Sequence, residues 1–190
     1  MVIILIGIVF FVIPYVLKWN QKNETKGRKW IGIIILYAYI VTVWFVTLGS
    51  RSYSPETHVY PNPIHHYVVM YRGLRRSGSF QDFCRRLGWY KGQMENTGLN
   101  ILLFVPLGYL VPSVAAFFRR WWKVVLLGLA ASLTIETVQL ITHLGWFDAS
   151  DLLHNTLGAL IGYWIYYRWL RKEYDRNTKT NPEPSETCLK

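Results

Sequence analysis

Residues 124–144 read Val124-Val-Leu-Leu-Gly-Leu-Ala-Ala-Ser-Leu-Thr-Ile-Glu136-Thr-Val-Gln-Leu-Ile-Thr-His-Leu144, an apolar run with a single charge. A helix needs roughly 20 residues to cross the hydrocarbon core of a bilayer, and this run has that length. Ser132, Glu136, Gln139 and His143 fall at spacings of four, three and four, which puts them on one helix face. Glu136 lies near the middle of the run, where an ionised carboxylate in hydrocarbon costs roughly 3 kcal/mol on insertion scales. It is therefore expected to face a protein interior, where it pairs, lines a polar cavity or holds a proton. The plainer use of such a residue is to join neighbouring helices by hydrogen bonds.

Four more segments share this character, so the chain reads as an all-α integral membrane protein with about five transmembrane helices. Val2 to Leu17 is apolar apart from one proline, and Trp30 to Leu48 carries no charge in 19 residues. Leu99 to Phe118 and Leu152 to Tyr167 are also uncharged. The first segment reads as a span rather than a secretory signal, because basic residues follow its apolar run instead of preceding it. Composition agrees: 52% of the 190 residues are hydrophobic and 17% charged, against roughly 25% charged in a soluble domain. Nine Trp and thirteen Tyr suit the membrane interface.

Basic residues orient the spans. Lys18, Lys22, Lys26, Arg28 and Lys29 crowd the first connection, Arg119, Arg120 and Lys123 the third, and Arg168, Arg171, Lys172, Arg176 and Lys179 follow the fifth segment. Five crossings put these clusters on one side, the cytoplasm, which leaves the N-terminus outside and the C-terminus inside a multi-pass protein of the cell membrane. The long second connection, 49–98, then lies outside although it holds seven basic residues, since long loops are less bound by the rule. Ser54-Pro55, Pro61-Asn62-Pro63 and Arg76-Ser77-Gly78-Ser79 mark it as irregular, and Phe80 to Tyr90 is amphipathic. Arg72, Arg75 and Arg76 could meet anionic headgroups or lipid-linked phosphates, or could simply be solvated. The net charge of +10 does not point to nucleic acid, because it sits at membrane edges without a recognition module. Residues 171–190 are polar and read as a disordered cytoplasmic tail. Cys84 and Cys188 fall on opposite sides, so this topology forbids a disulfide between them. No C-x-x-C or other metal spacing occurs, His65 and His66 lack an evident set of partners for zinc, and no cofactor is called for.

The remaining chemistry lies in the third and fifth segments. Asp151, Asn155, Gly158 and Gly162 recur on one stripe, with Asp148 a turn earlier. Gly158 and Gly162 would let a neighbouring backbone approach closely, and Asp148 or Ser150 suits a helix N-cap. In the third segment Pro106 removes a backbone donor and Gly108 leaves room beside it, as in a kinked helix lining a cavity.

Three blocks resemble the VanZ-like family of membrane proteins. They are Asn100-x-x-x-Phe104-x-Pro106-x-Gly108, Ser132-x-x-x-Glu136-x-x-Gln139, and Asp148-x-x-Asp151-x-x-x-Asn155-x-x-Gly158-x-x-x-Gly162. The resemblance covers residues 100–162. It divides the chain into a first helix and basic loop (1–29), a second helix and long loop (30–98), a VanZ-like three-helix core (99–170) and the tail. It implies an envelope-related role, with resistance to the glycopeptide teicoplanin as its best-known association. Members commonly carry Arg three residues before the first Asp, where this chain has Gly145; if that Arg pairs with the acidic residues, a loop arginine such as Arg72 or Arg76 is expected to compensate, and otherwise the chain lacks one catalytic or binding contact.

Together these readings place Glu136, Asp148 and Asp151 as candidate catalytic or proton-handling groups, with Asn100, Ser132, Gln139 and Asn155 as ligand-binding groups. Phe104, Pro106, Gly108, Gly158 and Gly162 are the structural residues. Membrane lipids or a lipid-linked envelope precursor are the expected partners. A small proton-coupled transporter is an alternative and implies an oligomer, because five helices enclose a narrow path. A non-enzymatic scaffold or accessory protein is the other. Paired carboxylates permit acid–base chemistry or a divalent cation, but no activated Ser or Cys constellation accompanies them and no spacing defines a metal cage.

Overall fold

The computed structural model of the protein describes residues 26–49 and 51–180. The first apolar segment, Lys18 and Lys22 of the first basic cluster, and residues 181–190 of the tail with Cys188 lie outside the described residues. Helix α1 (Lys26–Trp44) runs into a π-helical turn, Phe45–Gly49. A short strand β1 (Val59–Tyr60) and helix α2 (His65–Arg75) follow. Helix α3 spans Phe80–Val114, and a 3-10 turn, Ala116–Phe118, leads to α4 (Trp121–Ile141). Strand β2 (Phe147–Asp148) and helix α5 (Ala149–Thr180) complete the described chain.

Three of these helices contain stretches long and apolar enough to cross a membrane: Trp30–Gly49, Tyr90–Val114 and Trp121–Ile141. Helix α5 does not qualify on mean hydropathy, because Asp151, His154 and Asn155 dilute it. All three are buried, while Leu153, Leu157, Leu160 and Trp164 are exposed. Helix α4 does the same: Ser132, Glu136 and Gln139 are buried, and Leu126, Leu129 and Leu133 point outward. Polar residues inside and apolar residues outside invert the soluble pattern, as expected where the surrounding solvent is lipid.

Helix α3 is the central element. Residues 103–112 are buried on every face, and Phe104 and Tyr109 are among the most enclosed side chains. Its partner is α5, and glycines set the separation. A methyl group on Gly108 would run into the Ala159 carbonyl, one on Gly158 into the Ile101 carbonyl, and one on Gly162 into the Val105 carbonyl. From Ile101–Gly158 to Val105–Gly162 both chains advance by four residues, so α3 and α5 are parallel. Helix α4 is antiparallel to α5, with Gly128 against Ala159 and Ser132 against Asn155. Helix α1 is antiparallel to α3: Gly32 meets Val114, and the Tyr39 hydroxyl donates to the Leu103 carbonyl at 2.7 Å. That carbonyl is one residue beyond the Leu102 carbonyl, which Pro106 deprives of its usual donor. The helix nevertheless continues unbroken through Pro106 and Pro112.

Two boundaries differ from the sequence reading. The third segment, expected from Leu99, begins at Phe80, so the amphipathic stretch and the apolar one form a single 35-residue helix. Ser79 starts it, its side chain accepting from the Asp82 N–H at 3.2 Å. The tail read as disordered from 171 is helical to Thr180. Arg171, Lys172, Glu173 and Arg176 are polar but are good helix formers, and α5 propagates into them without a new nucleation step.

The alternating directions bring one set of ends together. The π-turn after α1, residue Asn100 of α3, the end of α4 and the start of α5 lie at one end of the bundle. Arg119, Arg120, Lys123 and Arg168 lie at the other.

Candidate functional site

Glu136 is 2% exposed and lies five residues before the end of α4, about 8 Å from it at 1.5 Å per residue. It is thus nearer the end shared with Asp148 than the middle of the span. Its Oε2 accepts a hydrogen bond from the Asp148 backbone N–H at 3.0 Å. Asp148 in turn caps α5: its Oδ1 accepts from the Ser150 N–H at 2.8 Å. Its other oxygen, Oδ2, stands 2.6 Å from His66 Nε2 on α2. One aspartate therefore joins the end of α4, the start of α5 and the long connection.

Asp151 lies one turn into α5, and its charge bears on Glu136. Its Oδ1 is 3.7 Å from Nδ1 of His154, whose Nε2 is paired with the Tyr67 hydroxyl. Asn155 donates to Ser132 Oγ at 2.8 Å, tying α5 to α4. Gln139 donates to the Thr47 carbonyl in the π-helical turn at 2.8 Å. A π-turn carries looser backbone bonding than an α-helix and is frequent at functional sites. Among the described residues, Gln139 Oε1, Ser150 Oγ, Asn155 Oδ1 and the neighbouring Thr156 Oγ1 are buried with no protein partner.

The structure therefore gathers Ser132, Glu136, Gln139, Asp148, Asp151 and Asn155 at one end of the bundle. Asn100 is half-buried near the same level and makes no hydrogen bond to the group among the described residues. His143 leaves the face on which its spacing put it. It lies beyond the helix end at φ 57°, and the Leu144 N–H closes the turn on the Gln139 carbonyl at 3.0 Å. Phe104 and the three glycines do not reach the polar group; they form the close contact of α3 with α5. Among the described residues no three His, Cys, Asp or Glu side chains are grouped to hold a metal ion.

Residues of the long connection cover the site, and spacing alone did not reveal them. Strands β1 and β2 pair in parallel, Val59 with Phe147 and Tyr60 with Asp148. The Ser54 N–H donates to the His143 carbonyl at 2.9 Å, and the Trp146 indole to the Glu56 carbonyl at 3.2 Å. His66 and Tyr67 reach in from α2. Of these groups only His154 left a local signal, since it follows Asp151 by three residues on the same helix. The arginine beside Gly145 is Arg51, not Arg72 or Arg76. Arg51 places its Nη1 3.0 Å from the point where a β-carbon on Gly145 would stand, and its charge also bears on Glu136. Gly145 leaves the room that Arg51 fills.

The Ser132–Asn155 bond provides a direct check on the α4–α5 pairing. Unfolding of Ser132→Ala, Asn155→Ala and the double variant in bicelles should give a coupling of about 0.6 kcal/mol, up to about 1.7. Strict additivity would mean that the bond does not form in the bilayer.

Apolar outward faces, polar inward faces and buried carboxylates define a helical membrane protein with a polar interior. The chain matches the model of the VanZ/LLP1 family over residues 1–171 and belongs to that family. The match extends well beyond residues 100–162, which carry the motifs, and takes in the first apolar segment and the whole long connection. No curated protein and no solved structure matches it.

Proposed function

We propose that this protein protects the cell envelope by binding an amphiphilic or lipid-linked ligand in its polar interior. The supporting observation is a set of unpaired oxygens: among the described residues, Gln139 Oε1, Ser150 Oγ and Asn155 Oδ1 are buried without protein partners, on the helices that carry the buried carboxylates of Glu136 and Asp151. Unsatisfied buried acceptors are costly, so a site that keeps them is suited to a donor from outside the chain. In this reading Asp151 receives a cationic or hydroxyl-bearing headgroup, Gln139 and Asn155 orient it, and Glu136 accepts or holds a proton. Asp148 keeps the α4–α5 turn and the covering segment in register around them.

The topology we propose has five crossings, with the first apolar segment and α5 added to the three helices that qualify on length and hydropathy. Arg119, Arg120, Lys123 and Arg168 then face the cytoplasm, and the polar interior opens toward the outer leaflet, where envelope precursors and glycopeptides meet the membrane. The family's association with teicoplanin makes tolerance of that drug the phenotype to test.

Purification in mild detergent followed by lipid mass spectrometry tests the binding step. The wild type should carry an amphiphile at near-stoichiometric level, and Asp151→Asn should retain less than a tenth of it. Equal lipid content in both proteins would rule out the polar interior as the binding site.

A further inference from the structure

Helix α2 carries a second feature, separate from the polar interior. Val68, Tyr71, Arg72, Arg75 and Arg76 line a groove of about 560 Å³ along α2, and Tyr71 and the three arginines are exposed. The opposite side of the helix is anchored. His66 and Tyr67 hold Asp148, which caps α5, and His154 of α5, and Gly73 sits against the Tyr90 hydroxyl of α3. The arginine face is thus presented in a fixed orientation by contacts made elsewhere on the helix.

Neighbouring arginines behave differently. Arg85 and Arg86, on the first turns of α3, are both taken by Asp82 at 2.8 Å. Their guanidiniums hold the Asp82 carboxyl below its ordinary range by hydrogen bonding. Helix α2 has no acidic residue at all, and Arg72, Arg75 and Arg76 make no ion pair among the described residues. Part of their role is the ordinary one of basic residues at a helix C-terminus, where they meet the negative end of the helix dipole. That role is served within the last turn and does not call for apolar walls. Here Val68 and an exposed Tyr71 flank the guanidiniums, so charge and apolar surface share one groove.

We infer that this groove binds the phosphate headgroup of an anionic membrane lipid. Guanidinium forks match phosphate oxygens in pairs, and Tyr71 and Val68 suit the glycerol and upper acyl region beside it. The chemistry is that of an anionic amphiphile, because free phosphate would leave the apolar walls unused. The assignment is independent of the ligand in the polar interior, although both sites lie on the same side of the bundle.

The test uses the full chain in detergent micelles, titrated with fluorescent phosphatidylglycerol, with phosphatidylcholine and inorganic phosphate as comparisons. Each exposed basic residue near an anionic surface contributes about a fivefold gain in affinity, so removing three should weaken phosphatidylglycerol binding about 100-fold. Arg72→Gln/Arg75→Gln/Arg76→Gln should show that loss, and the corresponding triple Lys variant should recover most of the binding. Arg85→Gln/Arg86→Gln should bind as the wild type does. Equal binding by the wild type and the triple Gln variant would overturn the assignment, as would an equal loss in Arg85→Gln/Arg86→Gln. Complete competition by millimolar inorganic phosphate would overturn the lipid as its source. Teicoplanin tolerance of Glu136→Gln reads the polar interior and this titration reads the groove, so failure of one is distinguishable from failure of the other.

Discussion

Gly162→Ala is expected to remove most of the folded protein from the membrane. The added methyl meets the Val105 carbonyl and comes within 3.0 Å of the Gly108 Cα, and both are backbone atoms of the central helix. A flexible side chain could move aside, but here α3 and α5 must separate as rigid bodies. Residues 103–112 are buried all round, so separation opens contacts along that whole stretch. Core overpacking commonly costs about 1–3 kcal/mol, and a clash with backbone belongs at or above the top of that range. Gly108→Ala and Gly158→Ala should follow, since they meet the Ala159 and Ile101 carbonyls. Gly92 and Gly98 on α3 have nothing within 4 Å of an added methyl. Alanine there should be neutral or stabilising by up to about 1 kcal/mol through helix propensity. Membrane abundance and detergent melting curves check the set; a Gly162→Ala protein that melts like the wild type would show that the α3–α5 contact is looser than described.

That contact was legible in the sequence because it depends on local periodicity. Gly158 and Gly162 share a helical stripe with Asp151 and Asn155, and a stripe that mixes small and polar residues has to face protein rather than lipid. The same logic located Ser132, Glu136 and Gln139. Helix existence followed from uncharged runs, whereas helix ends did not. Phe80–Tyr90 reads as a surface helix by composition, yet nothing between Tyr90 and Leu99 breaks it, and glycines at 92 and 98 proved tolerable within α3. Mean hydropathy is low in α5 because its inward residues are polar, although its outward face is apolar.

The cover of the site was not legible. His66 reaches Asp148 across 82 positions and Tyr67 reaches His154 across 87, and no spacing rule links residues so distant. The arginine beside Gly145 shows the limit clearly. Gly145 directed attention to a loop arginine, but the one beside it is Arg51, which follows the turn after α1, rather than an arginine of α2. A π-helical turn has no strong sequence signature, so the direction in which the chain leaves α1 could not be foreseen.

Glu136→Gln is expected to leave abundance and melting close to the wild type while abolishing the proposed envelope protection. Glutamine has nearly the same size and keeps a carbonyl oxygen to accept from the Asp148 N–H, so the bond between α4 and the start of α5 survives. What disappears is the group that can carry a negative charge or a proton next to Asp151. If the residue served only to join helices, the amide would serve as well. Structural and chemical roles therefore predict opposite results for one conservative change. Asp148→Asn is less informative, because Asp148 also caps α5 and pairs with His66.

The most direct measurement is teicoplanin susceptibility of a host lacking the gene, complemented with wild type or Glu136→Gln, with membrane levels of both proteins quantified. Wild type is expected to raise tolerance, and the equally abundant variant to leave the host at the level of the empty vector. A Glu136→Gln protein that protects as well as the wild type would contradict a functional polar interior and leave these helices as a scaffold.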